Sequence, residues 1–109
     1  MAFDEALHRR VRAVLGGHPA LSERKMFGGV CFTVQGNMCC GILGNELIVR
    51  VGPDAFADAM RSPHARIFDF SGRPMTGWLY VASAGIAIDA DLSAWIRRGV
   101  DFASSLPPK

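Results

Sequence analysis

The sequence predicts an α+β fold: a two-layer sandwich in which helices pack on one face of an antiparallel five-stranded sheet, in the order α-β-β-β-α-β-β-α. Three observations carry that expectation. Strand-forming runs come in hairpins, joined by Gln35-Gly36-Asn37, Gly44-Asn45 and Ser71-Gly72-Arg73-Pro74, rather than alternating singly with helices. Runs with apolar residues at helical spacing stand near both ends. Half of the 109 residues are hydrophobic and 20% are charged, enough to build one core in a single domain spanning 1–109.

The first helix is expected over residues 3–15, with Leu7, Val11, Val14 and Leu15 as its apolar stripe, Asp4 or the residue before it as cap, and Gly16-Gly17 as its stop. Three strands follow over about 26–34, 38–43 and 46–51. Leu47, Val49 and Val51 give the third a core face. The first two are apolar on both faces, which predicts central strands or a face used for association. Gly52-Pro53-Asp54 opens a short helix that turns Ala55, Phe56, Ala59 and Met60 inward and stops before Pro63. A second hairpin pairs Ile67–Phe70 with Met75–Val81, where Thr76, Trp78 and Tyr80 share one face and Gly77, Leu79 and Val81 the other. The last helix starts at a cap near Asp89 or Asp91 and runs to about Ala103, with Leu92, Trp95, Ile96, Gly99 and Phe102 as its buried stripe.

Composition narrows the function classes. A formal charge of +2 does not by itself imply a polyanion partner. No apolar run of about 18 residues exists to span a membrane, and MAFDEALHRR lacks the apolar core of a secretory signal, so a cytoplasmic protein with reduced thiols is expected.

Gly28-Gly29 leads into the strand-forming run Val-Cys-Phe-Thr-Val, not a helix, and no GK[ST] or GxGxxG is present, so a phosphate loop is set aside. Glycines there mark a bend or a close backbone approach. Cys39 and Cys40, adjacent in a strand, are expected on opposite faces. With Gly36-Asn37 as a two-residue turn, Cys31 and Cys40 become diagonal neighbours about 7–8 Å apart; with a three-residue turn, Cys39 takes that place. Either pair lies beyond normal disulfide reach. Zinc-type spacing is absent, and His8, His18 and His64 are scattered. Buried small hydrophobes are the favoured reading of the cysteines; a redox or metal sensor at Cys31, Cys39 and Cys40 is the alternative.

The carboxylates fall at helix starts and turns, with neither a nucleophile elbow nor HExxH, so no catalytic residues and no cofactor are expected. Arg9, Arg10, Arg12, Arg24, Arg97 and Arg98 can form a weak basic patch if the terminal helices lie side by side, which makes a weak nucleic-acid binder a further alternative; direct sequence-specific recognition of nucleic acid is not supported.

RKMFGG at 24–29, FTVQGNMCCGIL at 32–43, LIVRV at 47–51, RPMTGWLYV at 73–81 and the terminal DLSAWIRRGVDFA together resemble the N-terminal domain of the TfoX/Sxy family, over about residues 5–104. Lys25, Met26, Phe27, Gly28 and Gly29 match its motif. The resemblance implies a two-layer fold like that of type III secretion chaperones, here as a stand-alone domain. It also implies kinship with bacterial regulators of natural competence that act with a cyclic-AMP receptor protein on promoters. The function expected is a non-enzymatic protein-interaction or regulatory module tied to the transcriptional machinery, with a homodimer as a further expectation.

Overall fold

The computed structural model describes residues 3–18, 20–26, 28–69, 72 and 74–108. The described chain runs α1 (Glu5–Leu15), β1 (Leu21–Met26), β2 (Gly29–Val34), β3 (Asn37–Leu43), β4 (Glu46–Arg50), α2 (Phe56–Ala59), β5 (Ala65–Phe68), β6 (Met75–Val81), a 3-10 turn (Ser83–Gly85) and α3 (Asp89–Ser105). The strands form one antiparallel sheet in the order β1-β2-β3-β4-β6-β5. The α+β architecture is as expected, but the sheet has six strands, not five. The run expected as one strand over 26–34 is the corner of a hairpin: Met26 pairs with Gly29, and Leu21–Met26 forms an extra edge strand. Phe27, within that corner, lies outside the described residues, as do Phe70, Ser71 and Arg73 of the expected second hairpin turn.

Local chemistry explains the element ends. Asp4 caps α1 by accepting from the amides of Ala6 at 2.8 Å and Leu7 at 3.2 Å. Leu7, Val11 and Leu15 are buried, whereas Val14, expected in the same stripe, is 38% exposed at the helix edge. At the start of α3, neither Asp89 nor Asp91 caps by a side chain. Ile88 holds the cap position, and the two acids sit in the first turn, where they complement the positive end of the helix dipole. The β2–β3 turn is Gln35-Gly36, both with positive φ (53° and 83°), the geometry that matches the twist of a two-residue hairpin. Asn37 therefore belongs to β3, where it is buried and its Nδ2 donates to the Pro107 carbonyl at 2.9 Å. β2 and β3 lie inside the sheet, as their two apolar faces predicted.

One face of the sheet carries the main core. Val30, Phe32, Val34, Ile42, Leu47, Val49, Leu79 and Val81 pack there against Leu7 and Val11 of α1, Ala59 of α2, and Leu92, Ile96 and Ala103 of α3. Each fully buried Leu or Ile contributes about 1.5–3 kcal/mol. α3 lies close to the sheet because Gly99 has no side chain: a Cβ there would stand 2.2 Å from the Cys39 carbonyl oxygen. Among the described residues no helix lies over the other face.

Candidate functional site

On the open face, Ile48, Phe68 and Tyr80 form a second, smaller apolar cluster, supported by the half-buried Met38, Leu43 and Trp78. The alternation Thr76/Trp78/Tyr80 against Leu79/Val81 places Trp78 and Tyr80 there while Leu79 and Val81 enter the main core. Beside the cluster lies a groove of about 550 Å³, whose lining includes Arg24, Cys31, Thr33, Met38, Arg50 and Trp78. These residues come from β1, β2, β3, β4 and β6, so the groove crosses the sheet.

The charges around it are uneven. The Arg50 guanidinium sits 4.9 Å from the centroid of Trp78 and 5.2 Å from that of Phe102, held by cation–π attraction to both rings. Arg24, exposed on β1, has no carboxylate within ion-pair distance among the described residues, and neither has Arg50. Glu23 also lines the groove, but its carboxylate is taken by His8 at 2.9 Å and Arg12 at 3.4 Å. At the far side of the face, Arg66 donates from both terminal guanidinium nitrogens to the Glu46 carboxylate and stacks on Tyr80 at 4.3 Å. The Arg66 hydrogen bond holds the Glu46 carboxyl below its ordinary value.

The three thiols do not converge on one site. Phe32 pairs with Cys40 and Thr33 with Met38, which leaves Cys39 as the extra residue of a β-bulge. The expected opposite-face placement of Cys39 and Cys40 is thereby corrected: both enter the main core, with their Sγ atoms 3.8 Å apart and Cys39 donating to the Phe32 carbonyl at 3.4 Å. Cys31 pairs with Gly41 and lines the open-face groove, so neither expected diagonal partner shares its face. Burial pushes the Cys31 thiol up to about 11, against the weaker pull of Arg24. The hydrogen bond between the adjacent thiols lowers Cys39 and, together with burial, raises Cys40 well above its ordinary value.

The six arginines of the expected basic patch are dispersed. Arg10 is held by Asp89 at 2.9 Å and the Ile86 carbonyl at 2.7 Å, Arg12 by Glu23, and Arg98 by Asp58 at 2.7 Å. Arg9 is exposed on α1, Arg97 lines a cleft between the end of α1 and α3, and Arg24 stands on the open face. α1 and α3 do lie side by side, but their ion pairs neutralise much of the charge.

Within the RKMFGG motif, Lys25 pairs across the strands with Val30, and Met26 with Gly29. Gly28 has a φ of 75°, and a Cβ on Gly29 would stand 2.2 Å from the Ile42 carbonyl oxygen. Lys25, Met26, Gly28 and Gly29 line a shallow hollow with Phe3. Arg50 and Trp78 were not singled out from the sequence. The only signal for them was that each alternates away from its strand's core residues.

No described helix is long and apolar enough to cross a membrane. No curated protein and no solved structure matches the chain. A family model described as the TfoX N-terminal domain matches residues 13–103, most of the sequence. The chain belongs to the TfoX N-terminal domain family.

Proposed function

We propose that this chain is a non-enzymatic protein-interaction module with a regulatory role, and that it meets its partner through the open face of the sheet. One observation carries the reading: a six-stranded sheet is covered by helices on one face, while the other presents an apolar cluster and a groove with two arginines free of carboxylates among the described residues. A sheet face with such a cluster gains free energy when another element covers it. Five of the ten acidic residues have structural employment that fits a non-catalytic chain: Asp4 caps α1, Glu23 ties α1 to β1, Asp58 and Asp89 hold arginines, and Glu46 holds Arg66. Membership of the TfoX N-terminal domain family agrees with a regulatory module, and a link to transcription is part of this proposal.

The test is positional. A photo-crosslinking amino acid is placed in the native host at Met38, on the open face, or at Arg9, on the exposed side of α1. A discrete protein adduct from Met38 and none from Arg9 is expected. Equal labelling from both positions, or none from Met38, overturns the reading.

A further inference from the structure

From the placement of Arg24 and Arg50 at separate points of the same groove, we infer that the open face receives an acidic amphipathic helix of a partner protein. The inference rests on the interaction reading above and names its partner by chemistry.

Geometry selects the ligand. Arg24 stands on β1 and Arg50 on β4, three strand spacings apart, which is about 14 Å between strand axes. One small anion does not bridge that span, whereas two carboxylates on a single polypeptide do. An extended segment adds to a sheet at its edge and leaves the face uncovered. A helix covers a face, and about nine residues of helix span 14 Å at 1.5 Å per residue. Between the two cations the groove offers Met38, and just beyond Arg50 on the neighbouring strand it offers Trp78, a flexible thioether and an indole suited to apolar anchors.

Charge selects its sign. The two groove arginines have no carboxylate at ion-pair distance among the described residues, and Arg50 is already oriented by its aromatic neighbours, so little ordering cost remains when a carboxylate arrives. A second copy of this chain is a poorer occupant: the Glu46 carboxylate on its own open face is engaged by Arg66. Nucleic acid is poorer too, since three of the terminal-helix arginines are neutralised and the face is largely apolar.

The test uses two designed 18-residue helical peptides with the same leucine stripe, one with glutamates on the polar face and the other with lysines. A Trp95→Phe background leaves Trp78, in the groove, as the single tryptophan reporter. The Glu peptide is expected to shift Trp78 emission, with an affinity that falls as salt rises; the Lys peptide is expected to leave it unchanged. Arg24→Glu, on the exposed edge strand, is expected to weaken Glu-peptide binding by about tenfold or more while leaving the thermal midpoint in place. Backbone chemical-shift mapping on the unmutated protein is expected to place the changes on β1–β4 and β6 rather than on α1 and α3.

Equal binding of the two peptides, no effect of Arg24→Glu, or shifts confined to the helices overturns the inference. So does a homodimer that Arg24→Glu dissolves, or displacement of the peptide by a duplex oligonucleotide. Failure here alongside a Met38-specific adduct removes the acidic helix and leaves the interaction module; failure of both removes both.

Discussion

Gly99→Ala inverts the usual effect of replacing a glycine inside a helix. In an exposed helix interior the change stabilises by about 1 kcal/mol, because alanine loses less backbone freedom on folding. Here the new Cβ stands 2.2 Å from the Cys39 carbonyl oxygen, 3.0 Å from its carbon and 3.4 Å from Val49 Cγ1. The first contact is with backbone at a bulge, so relief requires α3 to move away by about 1 Å. Movement on that scale loosens the packing of Ile96 and Ala103 as well. Overpacking of this kind costs about 3 kcal/mol at the upper end of its range, so after the helix gain a net loss of about 2 kcal/mol is expected. For a chain of this size that lowers the thermal midpoint by about 8–12 °C. Urea unfolding and calorimetry of both proteins measure it. The displaced helix also uncovers the Cys39–Cys40 pair, so the variant's thiols are expected to react faster with a disulfide reagent. An unchanged or raised midpoint shows that α3 does not rest on the bulge, and the account of the helix–sheet contact falls with it.

The native thiols are expected to be inert at pH 8: Cys39 and Cys40 are fully buried, and Cys31 is buried with its thiol raised to about 11. A thiol titration is expected to find all three only after denaturation; one fast thiol in the native protein refutes this. Because the folded value of Cys31 lies above the ordinary 9.0, the folded state holds that proton longer, and stability falls as pH rises from about 9 to 11. Cys31→Ser is expected to reduce that slope, with a remainder from Cys40, which is also raised, measured by urea midpoints. Glu46 has the opposite sign: its depressed value makes the Arg66 pair stabilising above about 4.5, with the contribution lost as pH falls through the folded value. Glu46→Gln is expected to remove that acid-side slope and to cost about 1 kcal/mol or less at neutral pH, the range of an exposed pair. Asn37→Ala removes the bond to the Pro107 carbonyl, costs about 1 kcal/mol, and is expected to speed amide exchange near Leu106 without altering the strands.

How far the sequence was readable depended on what each segment buries. α1, β4, β6 and α3 each put a periodic apolar set into one core, and their places emerged from that period together with the caps and turns that flank them. β1 did not, because Ser22, Glu23, Arg24, Lys25 and Met26 are all exposed. An edge strand protected by charge carries no core alternation to read. The bulge at Cys39 escaped for the opposite reason: Asn37–Leu43 is mostly buried on both faces, so the pattern does not mark an added residue. For the open face, the alternation of β6 predicted that Trp78 and Tyr80 share a side. The groove was illegible because Arg24 and Arg50, far apart in sequence, meet only through the strand order β1-β2-β3-β4.

That strand order also says what the family motif does for function. The RKMFGG corner pairs Met26 with Gly29 and so fixes the register of β1 on β2, with Arg24 opposite Cys31 at the groove and Lys25 opposite Val30. Gly29 enforces the register from the other side, since its backbone lies against the Ile42 carbonyl of β3. A one-residue slip would turn Arg24 to the helix side and Lys25 to the groove. The motif then matters to the open face in two ways: Arg24 and Met26 line the groove, and the glycine that follows them sets the register that puts them there. Gly29→Ala tests this: its Cβ, 2.2 Å from the Ile42 oxygen, forces β2 and β3 apart and frees the β1–β2 hairpin. Faster amide exchange across Leu21–Met26 is expected, with Glu-peptide binding weakened about as much as by Arg24→Glu although Gly29 lies outside the groove lining. Full binding by a Gly29→Ala protein with a loosened β1 would show that the arginine acts without a fixed register, and the link from motif to groove would be lost.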